Sequence, residues 1–501
     1  MASLKNLAGQ TVWYGMSTIV ARLIGFLLNP LITYLLNTKT GTEQYGEYST
    51  LMAAIPFLNV LFTYGMETAY FKFSNTVLDR GKLFETSFTS LIISTVLLSV
   101  PLVLLRGSIA HFFDLDAHPE YITWCVLVIA LDTLSVIPFA RLRQENRPRK
   151  YAFTKVAGVV VNIVCVVWLL AISPGIVQRH PETAYAHWYH QYTNTGFLLL
   201  AFVAQSAVTL LLLVREWMMF RFRFDAALWR TILAYALPFI IIGLGGMINE
   251  VFDRLMLQHF YPGTKEAAKS AVGIYNANYK VAIFITLFIQ AFKMAAEPFF
   301  FNQASDKNAP ATYAKVMKWF VITLCFAFLF TALFLDIWQY LNGSAYRGGL
   351  GVVPILLYAN IALGIYYNLS VWYKITAQLK YGIAITLFGA LLTLIINYLF
   401  IPKYGMYACA WATMICYTVM MVLSYLYGQK HFPVSYPVKK LLSFLGIITI
   451  LFAVHEWVAM LTPNMVIRIG SGVVLMLVFV LVIFKAERKE LQRFPLIGKY
   501  I

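Results

Sequence analysis

The sequence predicts an all-α, polytopic membrane protein, a bundle of about fourteen transmembrane helices. Three observations lead there: the composition, the length of the apolar runs, and the side of the membrane on which the basic residues fall. Hydrophobic residues occupy 60% of the 501 positions and charged residues 12%, where soluble domains carry roughly 25% charged. So few charges cannot clothe a surface that faces water. Lipid accepts apolar side chains on the outside as well as in the core.

A helix needs roughly 20 residues to cross the hydrocarbon layer. Runs of that order lie at 11–36, 45–71, 84–105, 120–140, 152–172, 195–214, 231–254, 270–298, 313–335, 349–373, 381–401, 405–427, 440–461 and 466–484. The connections are short, and none could house a soluble domain. The opening Met1–Gln10 has one lysine and runs into a span longer than the apolar region of a signal peptide. It is expected to be a retained interfacial helix.

The formal charge of +17 could suggest a nucleic-acid partner, but the placement of the charges excludes one. With the N-terminus inside, Lys72, Arg80, Lys82, Arg141, Arg143, Arg147, Arg149, Lys150, Lys155, Arg215, Arg221, Arg223, Arg230, Lys307, Lys315 and Lys318 fall on cytoplasmic connections. The opposite side has only scattered charges: Lys39, Arg106, Arg179, Lys265, Arg347, Lys403 and Arg468. This is the positive-inside pattern, and it predicts that both termini lie in the cytoplasm.

An internal repeat organises the spans. Gly25-Phe-Leu-Leu-Asn29 matches Gly245-Gly-Met-Ile-Asn249, with Asn29 and Asn249 220 positions apart. Gly46-Glu-Tyr48 matches Gly273-Ile-Tyr275 at 227; Glu67 matches Glu297, and Lys150-Tyr151 matches Lys380-Tyr381, at 230. Each half begins on the same side, so the repeats are parallel, an arrangement in which two halves rock about a shared site. The expected division is 1–218 (spans 1–6), 219–430 (spans 7–12) and 431–501, two further spans with a cytoplasmic tail.

Ionisable side chains within spans normally face a cavity or a partner, and here spans 1, 2, 7 and 8 hold nearly all of them. Arg22 and Asn29 share a face of span 1. In span 2, Asn59, Thr63 and Glu67 follow one another by four. Span 7 ends in Asn249, Glu250, Asp253 and Arg254. Span 8 carries Asn276, Lys280, Gln290, Lys293 and Glu297 on one arc of roughly 140°. Glu250 with Arg254, and Lys293 with Glu297, are spaced to bridge within their own helices. Arg22 and Lys280 have no acid three or four residues away. Each needs an anion from elsewhere, and a phosphate-bearing ligand suits both. The candidate substrate-binding residues are therefore Arg22, Asn29, Asn59, Glu67, Asn249, Asp253, Lys280, Gln290, Lys293 and Glu297. Asp132, with Ser135 nearby in span 4, reads as a satisfied buried acid or an interhelix tie. Prolines 30, 56, 101, 138, 238 and 354 lie inside spans and suit a mobile bundle.

His180, His187 and His190 form no metal-ligand spacing and read as a solvated loop. Asp114-Leu-Asp116 is a lone DxD in an outward loop and reads as helix-capping turn chemistry. Cys125, Cys165, Cys325, Cys409 and Cys416 lie in apolar runs without a CxxC, so no disulfide or metal chemistry follows. No metal, cofactor or catalytic residue is expected.

Leu4-Lys5-Asn6-Leu7-Ala8-Gly9-Gln10-Thr11-Val12-Trp13-Tyr14-Gly15 leads into the Arg22-bearing span, and Glu43-Gln44-Tyr45-Gly46-Glu47-Tyr48 heads the second. Gly405-Met-Tyr-Ala-Cys-Ala-Trp-Ala-Thr413 opens the twelfth. These segments resemble those of bacterial polysaccharide-biosynthesis flippases, the oligosaccharide translocases of the multidrug/oligosaccharidyl-lipid/polysaccharide exporter superfamily. The resemblance extends to length, span count and two-lobe layout. It implies a cavity lined by the first two helices of each lobe, with cations gripping the diphosphate of an undecaprenyl-linked glycan. Arg22, Lys280 and Lys293 fall on the matching helices. The implied partners are that lipid-linked oligosaccharide and the membrane lipids, with polysaccharide polymerase and glycosyltransferases as further candidates. Two alternatives stay open. One is a drug or cation antiporter of the same fold, using Glu67, Asp132, Asp253 or Glu297. The other is a membrane glycosyltransferase or polymerase using Asp114 and Asp116.

Overall fold

The computed structural model describes residues 23–492, apart from 75, 76, 78, 146, 219, 220, 222, 304–307 and 377. The side chains of 291, 294–299, 301–303, 489 and 491 are also outside the description. Arg22 and the opening Met1–Gln10 therefore lie outside the described residues, as does the side chain of Glu297.

Apolar sequence and helix coincide along the chain. The helices are α1 (Leu23–Leu35), α2 (Lys39–Thr63), α3 (Met66–Phe73), α4 (Arg80–Leu104), α5 (Arg106–Phe112), α6 (Glu120–Gln144), α7 (Pro148–Val166), α8 (Ser173–Arg179) and α9 (Ala184–Tyr189). They continue as α10 (Asn194–Leu212), α11 (Val214–Met218), α12 (Ala226–Ala236), α13 (Pro238–Phe260), α14 (Lys265–Ala282), α15 (Phe284–Gln303), α16 (Ala309–Ala332) and α17 (Leu335–Trp338). The last are α18 (Val352–Leu369), α19 (Val371–Ile375), α20 (Leu379–Tyr404), α21 (Met406–His431), α22 (Val438–Leu461) and α23 (Met465–Leu491). Among the described residues, eleven helices are long and apolar enough to cross a membrane, thirteen if each of two bent pairs is one span. The remaining expected span, 11–36, is helical from Leu23 to Leu35. A multi-pass membrane bundle is what such a chain must form, because only complete helices satisfy their own backbone in lipid.

Both bent pairs are second spans of an expected lobe. α2 meets α3 at 41°, and α14 meets the first part of α15 at 48°. No proline causes either break. The first is made by Tyr64 (φ 36°) and Gly65 (φ 74°), both left-handed. Gly65 has a second reason to be glycine, since a Cβ there would lie 2.8 Å from the Ala236 carbonyl oxygen. Tyr64 has no such freedom; its hydroxyl is held 2.6 Å from Ser90 Oγ. The segment that carries His180, His187 and His190, expected to be a solvated loop, contains α8 and α9, with His187 inside α9.

The helices pack as two compact units. One comprises Met1–Ala277, Gly343–Tyr346 and Thr386–Ala412; the other comprises Asn278–Asn342, Arg347–Ile385 and Thr413–Ile501. In the first unit Tyr45, Tyr121, Phe197 and Tyr346 are fully buried in one apolar core. A second core gathers Met66, Tyr70, Leu83 and Leu91.

Within the first unit α2 crosses α14 at a very close approach. A Cβ on Gly46 would overlap the Lys269 carbonyl, and one on Gly273 would overlap the Thr42 carbonyl. Each glycine is thus pressed against the residue four positions before the other. These are two glycines that the repeat already equates, and the contact is reciprocal, as at a local two-fold axis.

In the second unit the last two spans are fastened by charge. Lys318 of α16 is buried and bridges Glu487 and Glu490 of α23, 2.7 Å from each, while Lys440 of α22 reaches Glu487 at 2.6 Å. Trp319 Nε1 donates to Glu490 at 3.2 Å.

Candidate functional site

Five of the described candidate residues lie in the first unit, and three of them enter its buried polar network. The network starts on α1, where Asn29 Oδ1 accepts from the Tyr45 hydroxyl of α2 at 2.7 Å. Asn276 of α14 donates to Tyr45 Oη at 3.3 Å and to Ser49 Oγ at 2.9 Å. Its carbonyl oxygen accepts from Arg254 Nε of α13 at 3.1 Å. Arg254 also donates to Asp253 Oδ1 at 3.0 Å, and Tyr275 donates to Asp253 Oδ2 at 2.6 Å. Asn249 ties α13 to α20, donating to the Thr386 carbonyl at 3.2 Å and accepting from Thr393 at 3.2 Å.

This network corrects one expectation. The buried carboxylate that meets Arg254 belongs to Asp253, and the guanidinium also donates to the Glu250 backbone carbonyl at 2.9 Å. The Glu250 side chain is exposed. In a helix that carries acids both four and one positions before the arginine, the buried one wins, because an exposed acid keeps a better solvated alternative.

A second cluster joins α2, α10 and α14. Lys269 bonds Glu47 at 2.7 Å and the Asp114 carbonyl at 2.9 Å. Glu47 also accepts from Thr195 at 2.8 Å, Asn194 donates to Gln44 at 2.6 Å, and Lys265 pairs with Asp114. Asp114 has a left-handed φ of 57°, and Asp116 accepts from His111 at 2.9 Å when that ring nitrogen carries the proton. The DxD thus serves ion pairing rather than helix capping. Sequence reasoning missed Glu47 and Lys269, although Glu47 sits inside the Gly46–Tyr48 motif and Lys269 lies one helical turn before Gly273.

At the end bearing the basic connections, acids are collected by arginines and lysines. Glu67 pairs with Arg143, whose guanidinium lies 4.6 Å from the Phe71 ring centroid. Glu216 is 1% exposed and takes Lys150 at 2.6 Å and Arg147 at 3.0 Å. Burial pushes the Glu145 carboxyl up, but its bonds to Arg141 and Arg147 outweigh that and hold it below the usual range. Asp225 is likewise held low, first by the Lys82 ammonium at 2.6 Å and then by the backbone N–H groups of Leu228 and Ala227.

The polysaccharide biosynthesis protein family matches over residues 7–304, well over half of the chain.

The chain belongs to that family.

No curated protein matches it, but solved structures do. The lipid II flippase MurJ in an inward closed conformation is similar at a TM-score of 0.72 and 14% identity, over 95% of this chain and 99% of that one. An inward-facing multidrug resistance MATE transporter of the MOP superfamily is similar at 0.58 and 12%, over 84% and 94%. The Vibrio cholerae MATE transporter VcmN in its bent form gives 0.55 and 12%, over 89% and 99%. At these identities the shared property is the fold.

The remaining candidate residues lie outside this network. Asn59 Oδ1 is buried with no hydrogen-bond partner among the described residues. In the second unit Lys280 is half-buried near the end of α14, and Gln290 is half-buried on α15. Lys293 is half-buried with its ammonium 4.7 Å from the Tyr367 ring centroid. Arg22 lies outside the described residues, and so does the side chain of Glu297, so its bridge to Lys293 is outside the description too.

Proposed function

We propose that this protein is a flippase that moves an undecaprenyl-diphosphate-linked oligosaccharide across the bacterial inner membrane for surface polysaccharide assembly. The observation that carries the reading is family membership over residues 7–304 joined to a flippase-type fold that spans nearly the whole chain. The repeats 1–218 and 219–430 act as rocking lobes with 431–501 appended, and both termini lie in the cytoplasm. The reciprocal Gly46–Gly273 contact and the matched breaks in spans 2 and 8 support the repeat.

The headgroup crosses while its prenyl tail stays in lipid, and no covalent bond is made or broken. Arg22, Lys280 and Lys293 grip the diphosphate, since guanidinium and ammonium groups both bind phosphate well. Asn59 and Gln290 supply hydrogen bonds to the sugars. Asn29, Asn249 and Asp253 brace the helices around this site, their polar atoms being engaged within the protein. Glu67 is held by Arg143 until substrate arrives.

Export of surface glycan in a deletion strain tests the assignment. Arg22→Ala, Lys280→Ala and Lys293→Ala are each expected to lower export at least about tenfold, the worth of one charge-assisted contact of roughly 1.5–3 kcal/mol, at unchanged membrane abundance. Normal export in all three sinks the site. A drug or cation antiporter is the second reading, favoured by the fold shared with MATE transporters; gradient-driven dye transport without glycan export would establish it.

A further inference from the structure

Between α17 and α18 the chain makes a short excursion. Gly343–Tyr346 packs in the first unit, while Asn342 before it and Arg347 after it belong to the second. The base of the excursion is pinned. Arg347 Nε donates to the Asn342 carbonyl at 3.3 Å, and Asn342 Nδ2 donates to Asn278 Oδ1 at 3.4 Å. The tip docks on the corner where α1 turns into α2. The Glu67–Arg143 pair lies at the other end of the same bent span, on α3.

Every residue of the tip is engaged at this corner. Gly343 N–H donates to Thr33 Oγ1 at 3.3 Å, and Ala345 N–H donates to Asn37 Oδ1 at 2.8 Å. Ser344 Oγ donates to Asn37 Oδ1 at 3.2 Å and accepts from Asn37 Nδ2 at 3.1 Å. The Tyr346 hydroxyl is shared between the carbonyls of Leu36 at 3.0 Å and Gly41 at 3.2 Å. The last carbonyls of a helix have no partner within it, so Tyr346 completes the end of α1 from outside. Position 343 must be glycine, since a Cβ would lie 2.3 Å from the Thr33 carbonyl oxygen. Tyr346 is fully buried with its ring edge-on to Tyr45, centroids 5.7 Å apart. Tyr45 in turn holds Asn29 and Asn276, so the tip reaches the buried polar network through one ring contact.

We propose that Gly343–Tyr346 is a releasable strap over the α1–α2 corner, the outward end of the first unit in the proposed topology, and that it undocks once in each transport cycle. Apart from Tyr346 the tip is small and polar, and Ser344 is exposed. A segment held by surface hydrogen bonds and one apolar anchor opens more readily than a packed helix, and moving parts are drawn from such segments. The pinned base lets the tip lift without disturbing the chain on either side. Undocking leaves the carbonyl at the end of α1 to water and withdraws the ring that backs Tyr45. The docking stands on the contacts alone; its coupling to export rests on the flippase reading.

The test joins Asn37→Cys to Ser344→Cys with a short, reductant-cleavable bifunctional methanethiosulfonate, with the wild-type chain treated alike as the reference. Hydrogen exchange of the Gly343 and Ala345 amides in the purified full chain reads the docking without any cargo. Linking should slow that exchange at least about tenfold, and Gly343→Val, which cannot dock, should speed it by as much. Exchange as slow in the unlinked protein as in the linked one overturns the proposal. In the deletion strain, linking should abolish glycan export and reductant should restore it; full export by the linked protein also overturns the proposal. A wild-type chain that exports no glycan counts against the flippase reading alone, and the exchange then decides the strap. Should the cysteine pair fail to fold, Asn37→Ala removes the contacts to Ser344 and Ala345 and must quicken the exchange; an unchanged rate sinks the strap.

Discussion

Asp253 and Arg254 show how a charged pair is kept inside an apolar bundle. Both carboxylate oxygens are used, one by Arg254 and one by Tyr275, and the guanidinium also reaches Asn276 and a backbone carbonyl. Removing one partner leaves the other charge buried and unpaired, which costs about 3–5 kcal/mol. Asp253→Ala should therefore lower stability by that order in a reversible unfolding assay, whereas Tyr275→Phe, which removes one bond to a charged acceptor, should cost about 1.5–3 kcal/mol. Lys318 poses the same case in the second unit. Lys318→Ala takes one of two cations from Glu487, itself 2% exposed, and leaves it Lys440 at 2.6 Å, so it should destabilise by less. Replacing both with apolar residues, Lys318→Met with Glu487→Leu, should restore most of the loss because the desolvation of both charges disappears together. Glu67 is different. Its side chain and that of Arg143 are 44% and 34% exposed, so Glu67→Gln should change stability by less than about 1 kcal/mol.

At the scale of the element, the α2–α14 crossing is the most constrained feature. Each glycine faces a backbone carbonyl, which cannot move aside as a flexible side chain can. Gly46→Leu or Gly273→Leu must therefore push the helices apart, and thermal unfolding should fall by several degrees in either variant. Much of this was legible in the sequence, because the repeat pairs Gly46 with Gly273 without any knowledge of contact. The breaks were not. Proline is the residue that announces a kink, yet the prolines at 56, 101 and 138 lie within continuous helices, while the sharp bend sits at Tyr64–Gly65. A tyrosine in left-handed conformation carries no local signature; it is held by Ser90, 26 residues away. The Lys318–Glu487 bridge was illegible for the same reason, since 169 residues separate its partners.

For the whole molecule, thirteen of the fourteen apolar runs are, among the described residues, helices long enough to span, counting each bent pair once, because span length is dictated by the thickness of the bilayer rather than by tertiary detail. Which candidate residues face a ligand was less legible. Periodicity puts a residue on a helix face but does not say which neighbour covers that face, and Asn29, Asn249 and Asp253 proved to be engaged with the protein itself. If α2 and α14 must separate during the transport cycle, locking them should stop it. Thr42 Oγ1 and Ser270 Oγ are 2.8 Å apart, close enough that Thr42→Cys with Ser270→Cys should form a disulfide. Glycan export should then be lost under oxidation and return with reductant; full export by the cross-linked protein would show that this crossing stays closed throughout.

The reciprocal contact of Gly46 and Gly273 also bears on the ancestry of the chain. If the two halves arose by duplication, a six-span precursor pairing with its own copy would have placed one glycine against itself on the two-fold axis. Fusion would then have turned that single position into two genetic loci that still share one clearance. Neither locus would have gained freedom from it, since a larger residue at Gly46 or Gly273 collides with the backbone of the opposing helix. Divergence between the halves should therefore be slowest where they cross, and comparison of relatives should find these two positions changing rarely and together.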